Sequence, residues 1–105
     1  MFSECSVQTT EVVKVADVAW ASSGFLKQHG TKTPFTTAPE ICIEVISPSN
    51  SAMEIAEKIA LYLAAGAEEV WLCAETGAMS FHTRDGEIRS SRLVKKFPRF
   101  INLEV

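Results

Sequence analysis

The stretch from Glu40 to Ala74 constrains this chain more than any other part of it. "EICIEVI" (40–46) is a near-continuous apolar run of the kind found in a strand covered on both faces. Ser47-Pro48-Ser49-Asn50 stops it, and Ser51-Ala52-Met53-Glu54 follows with the Ser-x-x-Glu spacing of a capping box, in which side chain and backbone satisfy each other at a helix start. The helix runs to about Ala65 and ends at Gly66. "EVWLCA" (69–74) is a second apolar strand, so the segment reads strand, helix, strand. Such a unit joins parallel strands through a right-handed crossover.

Around this unit the elements are shorter. "VVKVADVAW" (12–20) is a β-branched strand, with Val13, Val15, Asp17 and Ala19 on one face. Residues 22–39 are polar and broken by Gly24, Gly30, Pro34 and Pro39, a loop with room for a short helical turn over Phe25–His29. Met79–Thr83 and Glu87–Leu93 flank "RDG" as a hairpin, and Phe100–Val105 is expected as a closing edge strand. The fold class is α/β: a mixed sheet with a strand-helix-strand crossover, a C-terminal hairpin and few helices.

Length and composition agree with one domain spanning 1–105. A chain of 105 residues, 47% apolar and 22% charged, has the makeup of a soluble globular protein. No apolar run approaches the roughly 20 residues that span a bilayer, and the N-terminus lacks the layout of a signal peptide, so a cytoplasmic location with no membrane partner is expected. Cys42 and Cys73 sit in apolar runs, where a reduced thiol serves as a small core residue. A net charge of −3 argues against nucleic-acid binding over the whole surface, though Arg92, Lys95, Lys96 and Arg99 gather four positive charges near the C-terminus. Taken alone, that cluster reads as a solvated turn.

Two carboxylates need explaining. Glu44 interrupts a buried strand, and an ionised side chain out of water costs several kcal/mol unless a partner, a proton or a metal ion meets it. Asp17 lies on a mostly apolar strand face; it is either an exposed edge residue or part of a site. Ile55, Ile59, Tyr62 and Leu63 share one helix face, and Lys58 stands at its border, able to point toward the sheet. Its plain alternative is a surface pair with Glu54, four residues before it. Two strand carboxylates with a lysine suit phosphodiester hydrolysis: the carboxylates pinch a divalent ion that polarises phosphate and activates water, and the lysine orients that water or meets developing charge. His29 and His82 have no ligand-spaced partner and read as solvent-exposed. There is no nucleophile elbow, Gly-rich phosphate loop or zinc-ligand pattern.

"ADVAW" (16–20), "APEICIEVISPSN" (38–50), "EIAEKIALYLAAGAEEVWLC" (54–73) and "FHTRDGEIRSSRLVKKFP" (81–98) resemble the Uma2 family, also called DUF820. That family falls in the PD-(D/E)xK superfamily of restriction-endonuclease-like folds. The resemblance implies a metal-dependent endonuclease acting on DNA. Asp17 and Glu44 would be the catalytic carboxylates and ligands of Mg²⁺ or Mn²⁺, Lys58 the catalytic lysine moved onto the helix, and a carbonyl of Val45 or Ile46 a further ligand. Ile46 occupies the usual lysine position, and Ala16 replaces a Pro before the Asp. Family members generally carry an N-terminal half ahead of the Asp strand, and residues 1–11 are too few to replace it. A truncated domain of this kind would leave sheet surface uncovered, so a homodimer or higher homo-oligomer is expected. The competing reading is an inactive remnant of the fold acting as an oligomeric interaction or nucleic-acid-binding module, or as a purely structural oligomer.

Overall fold

A computed structural model describes residues 2–9, 13–30 and 35–101 of the chain. Its centre is one six-stranded mixed sheet in chain order, with β1 Phe2–Gln8, β2 Val13–Trp20, β3 Ile41–Val45, β4 Glu69–Cys73, β5 Met79–Thr83 and β6 Gly86–Ile88. Only β3 and β4 pair in parallel; the other neighbours are antiparallel. Among the described residues, two helices accompany the sheet, α1 Ser23–His29 and α2 Ala52–Ala64.

The crossover forms as its local chemistry dictates. The Ser51 hydroxyl accepts from the Glu54 amide at 3.1 Å, and the Glu54 carboxylate accepts in return from the Ser51 amide at 3.4 Å. This closes the capping box and satisfies two amides that the helix start leaves without intrahelical partners. Gly66, at φ +114°, turns the chain out of the helix, a conformation that costs glycine little. All five residues of β4 are buried.

α2 lays Tyr62, with Ile59 and Leu63 beside it, on a core cluster containing Ala19, Cys42 and Val70. The register pairs Ala19 with Cys42 and Cys42 with Val70, so these three form a row across β2, β3 and β4. A second cluster stands around Ile41, Trp71 and Phe81, with Phe97 packed against it. Trp71 meets Phe81 edge-on at a centroid distance of 5.2 Å, a favoured aromatic geometry.

Several expectations need correction. Residues 2–8 form β1, paired along its length with β2, so the sheet extends ahead of the Asp17 strand. Asp17 therefore sits on an interior strand and not at an edge. The second hairpin strand is Gly86–Ile88 alone, and residues 89–99 run irregularly. The cause is Glu69, whose buried carboxylate takes the Arg92 and Leu93 amides at 2.8 and 3.1 Å and so removes them from any ladder. Phe100 makes only an isolated antiparallel bridge with Ala78; residues 102–105 of the expected last strand lie outside the described residues. The short turn at 25–29 is a full helix over Ser23–His29, capped by the Ser22 hydroxyl. His82 is half-buried, not solvent-exposed, with its Nε2 at 3.0 Å from the Ser80 hydroxyl. All three cysteines, including Cys5, are free and buried, and burial pushes the Cys42 thiol up to about 12.

Candidate functional site

The β2–β3 register pairs Val18 with Ile43 and Ala19 with Cys42, and one further step sets Asp17 across from Glu44. Beyond that step the strands are joined through a side chain, since the Val45 amide donates to Asp17 Oδ2 at 2.8 Å. The contact fixes the Asp17 carboxylate at the carboxyl end of β3. Asp17 and Glu44 are thus brought together.

Glu44 is only 3% exposed. Its Oε1 accepts from the Tyr62 hydroxyl at 2.8 Å, and its Oε2 lies 3.7 Å from the Lys58 ammonium. Lys58 and Tyr62 stand four apart on α2, one turn of the same face, so a single helix supplies both contacts. Lys58 is not spent on Glu54, whose carboxylate is used in the helix cap; its ion pair is with Glu44. Lysine and carboxylate differ in exposure, 42% against 4% for the side chains, so the lysine carries charge from solvent to a buried acid.

The electrostatics follow from this packing. Burial pushes the Glu44 carboxyl up, the Tyr62 hydroxyl and Lys58 ammonium pull it back, and the adjacent Asp17 carboxylate adds to the rise. The balance stands at about 7. Burial and the Glu44 charge raise the Tyr62 phenol well above its ordinary value, so it remains a hydrogen-bond donor. Two neighbouring acids, one of them buried, form a place where added positive charge is favoured.

Beside the trio lies a cavity of about 10 Å³ bounded by Glu44, Asn50, Glu54 and Lys58, room for about one water molecule. A larger depression of about 580 Å³ opens at the other end of β4, near Gly66, Glu69 and Arg92, and contains none of the three residues. Its one buried acid, Glu69, is fully engaged: Oε1 accepts from Trp71 Nε1 at 2.7 Å and the Ser91 hydroxyl at 2.6 Å, and Oε2 from two backbone amides. Burial raises the Glu69 carboxyl, but these four donors outweigh it and hold it below its ordinary value. Glu69 anchors the segment after β6 and leaves no oxygen for a ligand.

Among the described residues, no group of three or more His, Cys, Asp or Glu side chains could hold a metal ion. Two carboxylates remain a fitting donor set for Mg²⁺, which commonly takes one or two carboxylates and completes its shell with water and phosphate oxygens. Tyr62 is the residue that sequence reasoning placed only in the apolar face. Its spacing of four from Lys58, opposite a strand acid in need of a donor, was the available signal.

The chain and its fold were compared with known proteins. The model of the Uma2 family, described as "Putative restriction endonuclease", matches residues 2–104. The chain belongs to the Uma2 family. A solved structure of a "putative nuclease belonging to DUF820" from Anabaena variabilis superposes with a TM-score of 0.62 at 19% identity, covering 78% of this chain and 48% of the other. At that identity the likeness shows a shared fold, and the chain spans about half the length of this relative. No curated protein matches. For this Uma2 chain the nuclease-like fold is established, with its mixed sheet and its crossover helix beside Asp17 and Glu44.

Proposed function

We propose that this Uma2 protein is a metal-dependent endonuclease that hydrolyses phosphodiester bonds of DNA. The observation that carries the reading is the convergence of Asp17, Glu44 and Lys58, with Glu44 held between the Tyr62 hydroxyl and the Lys58 ammonium. Asp17 and Glu44 would hold Mg²⁺ or Mn²⁺, with a carbonyl of Val45 or Ile46 as an available further ligand. Bound there, the ion supplies charge neutralisation at the phosphate and a lowered pKa for water.

The chain's own residues do the rest. The Val45 amide keeps the Asp17 carboxylate turned toward Glu44, and Tyr62 prevents Glu44 from rotating away. Lys58, beside the one-water cavity, orients the attacking water and meets negative charge as it develops on the phosphate oxygens.

A homodimer or higher homo-oligomer, located in the cytoplasm, completes the proposal. Trp20 pairs with Ile41, and Ile41, Ile43 and Val45 alternate onto one side of β3. Phe97 covers the Trp71 and Phe81 end of that side, whereas Trp20 and Val45 remain exposed. Apolar surface of this kind favours association. Three free cysteines suit a reducing compartment.

Incubation of the purified protein with plasmid DNA and Mg²⁺ or Mn²⁺, beside Glu44→Ala and Lys58→Ala, tests the enzyme. Cleavage by the wild type that needs the metal and is lost in both variants supports it. Equal nicking by all three would mean contamination, and binding without any cleavage would favour a silent nucleic-acid-binding module.

A further inference from the structure

Glu44 pairs with Leu72 on β4, and Leu72 with Ser80 on β5, so Ser80 lies in the same row of the sheet two strands from the site. At strand spacings of about 4.8 Å that separation is roughly 10 Å. Beyond Ser80 the outer edge of β5 is shared by two segments. β6 covers Phe81 to Thr83 and ends at Ile88, and on the other side the Met79 amide donates to the Arg99 carbonyl at 2.7 Å. Between them opens a cleft of about 200 Å³ lined by Ser80, Glu87, Arg89 and Arg99 among others. Arg89 borders it from the end of β6 and Arg99 from the returning chain.

Both arginines are exposed, and neither has a carboxylate at ion-pair distance among the described residues. Residues 89–100, "RSSRLVKKFPRF", carry five cations and no acid. Among the described residues, Arg92 alone of the five is matched by an acid, Asp85 at 3.3 Å. The protein as a whole is acidic, so a segment of this charge stands out from its surroundings. Glu87 at the cleft leaves a local excess of one positive charge there. Arginine presents a planar fork of donors that fits phosphate oxygens in pairs.

We propose that Arg89 and Arg99 seat a backbone phosphate of the DNA substrate that flanks the bond being cut. The inference rests on the nuclease reading and names the surface on which that substrate is tracked. The cleft lies about three strand spacings, roughly 15 Å, from the β3 acid. With one phosphate per 3.4 Å of axis on each strand, that reach is about four nucleotides.

The test measures binding of a fluorescent 20-base-pair duplex over a series of salt concentrations, with Ca²⁺ in place of Mg²⁺. The variants are the pair Arg89→Gln with Arg99→Gln, and Arg84→Gln as a control. Arg84 is an exposed cation at the hairpin tip, at the other end of β5. Each lost phosphate contact lowers the slope of log affinity against log salt by about 0.9. The double variant loses the one seated phosphate, so it is expected to lose about 0.9 from that slope and about 10-fold in affinity at low salt, with an unchanged melting temperature. Arg84→Gln is expected to match the wild type. A double variant with the wild-type slope overturns the seat while leaving metal-dependent cleavage to stand by its own controls. An equal loss in Arg84→Gln also overturns it, since the charge would then act diffusely. Failure of the wild type to bind the duplex at any salt removes both the seat and the nuclease reading beneath it.

Discussion

The Tyr62 hydroxyl donates to Glu44 Oε1 across 2.8 Å from a side chain that is fully buried. This bond determines where the Glu44 carboxylate can be. Tyr62→Phe would keep the ring and its packing but leave a buried carboxylate oxygen without its donor, at a cost of about 1–3 kcal/mol. The expected result is a melting temperature lower by several degrees and a weaker response of cleavage to metal, read by calorimetry and a metal titration. A variant as stable and as active as the parent would show that Glu44 is held by other means.

Glu44 itself should be a liability to the metal-free protein. Its folded carboxyl titrates near 7, above the ordinary value of 4.5, so the folded form holds a proton that the unfolded form has released. Stability therefore falls as pH rises from about 4.5 to 7 and stays low above that range. Glu44→Gln keeps an acceptor for Tyr62 and gives Asp17 a donor. At pH 8 without metal it is expected to gain on the order of 2 kcal/mol, roughly 5–10 °C in melting temperature. Addition of Mn²⁺ should stabilise the parent and not the variant. Thermal melts over pH 4 to 8 read both effects.

Glu69 predicts the opposite pH dependence. Its carboxyl is held below the ordinary value by four donors, so it contributes stability that is present above about pH 4.5 and is lost as pH falls through its folded pKa. Glu69→Gln would turn an amide NH₂ toward groups that donate, at a cost of about 2–4 kcal/mol. The segment from Ser91 to Leu93 should then detach, seen as a change in Trp71 fluorescence and a flatter acid limb of the stability curve.

Trp20→Lys tests association. A charge placed on the uncovered part of the sheet should convert an oligomer to monomer in light scattering while leaving the fold intact by circular dichroism. An unchanged mass would place the interface elsewhere.

What the sequence made legible was local. The α2 start could be read because Ser51 and Glu54 satisfy each other within one turn, and the parallel pair because two apolar runs flank a helix of the right length. Glu44 announced itself by being an acid in an apolar strand, and Lys58 by its place on the α2 face. β1 was hidden, since "FSECSVQ" is half polar and becomes a strand through its long pairing with β2. The irregular path after Ile88 was hidden too: the carboxylate that captures the Arg92 and Leu93 amides lies more than twenty residues earlier in the chain. The role of Tyr62 required knowing which face of α2 meets which position of β3.

Asp17, Glu44 and Lys58 all come from one uninterrupted stretch of chain that contains β2, β3 and the first half of α2. The arrangement of these three side chains therefore depends on that stretch: additions outside it can change what reaches the two acids without having to rebuild them.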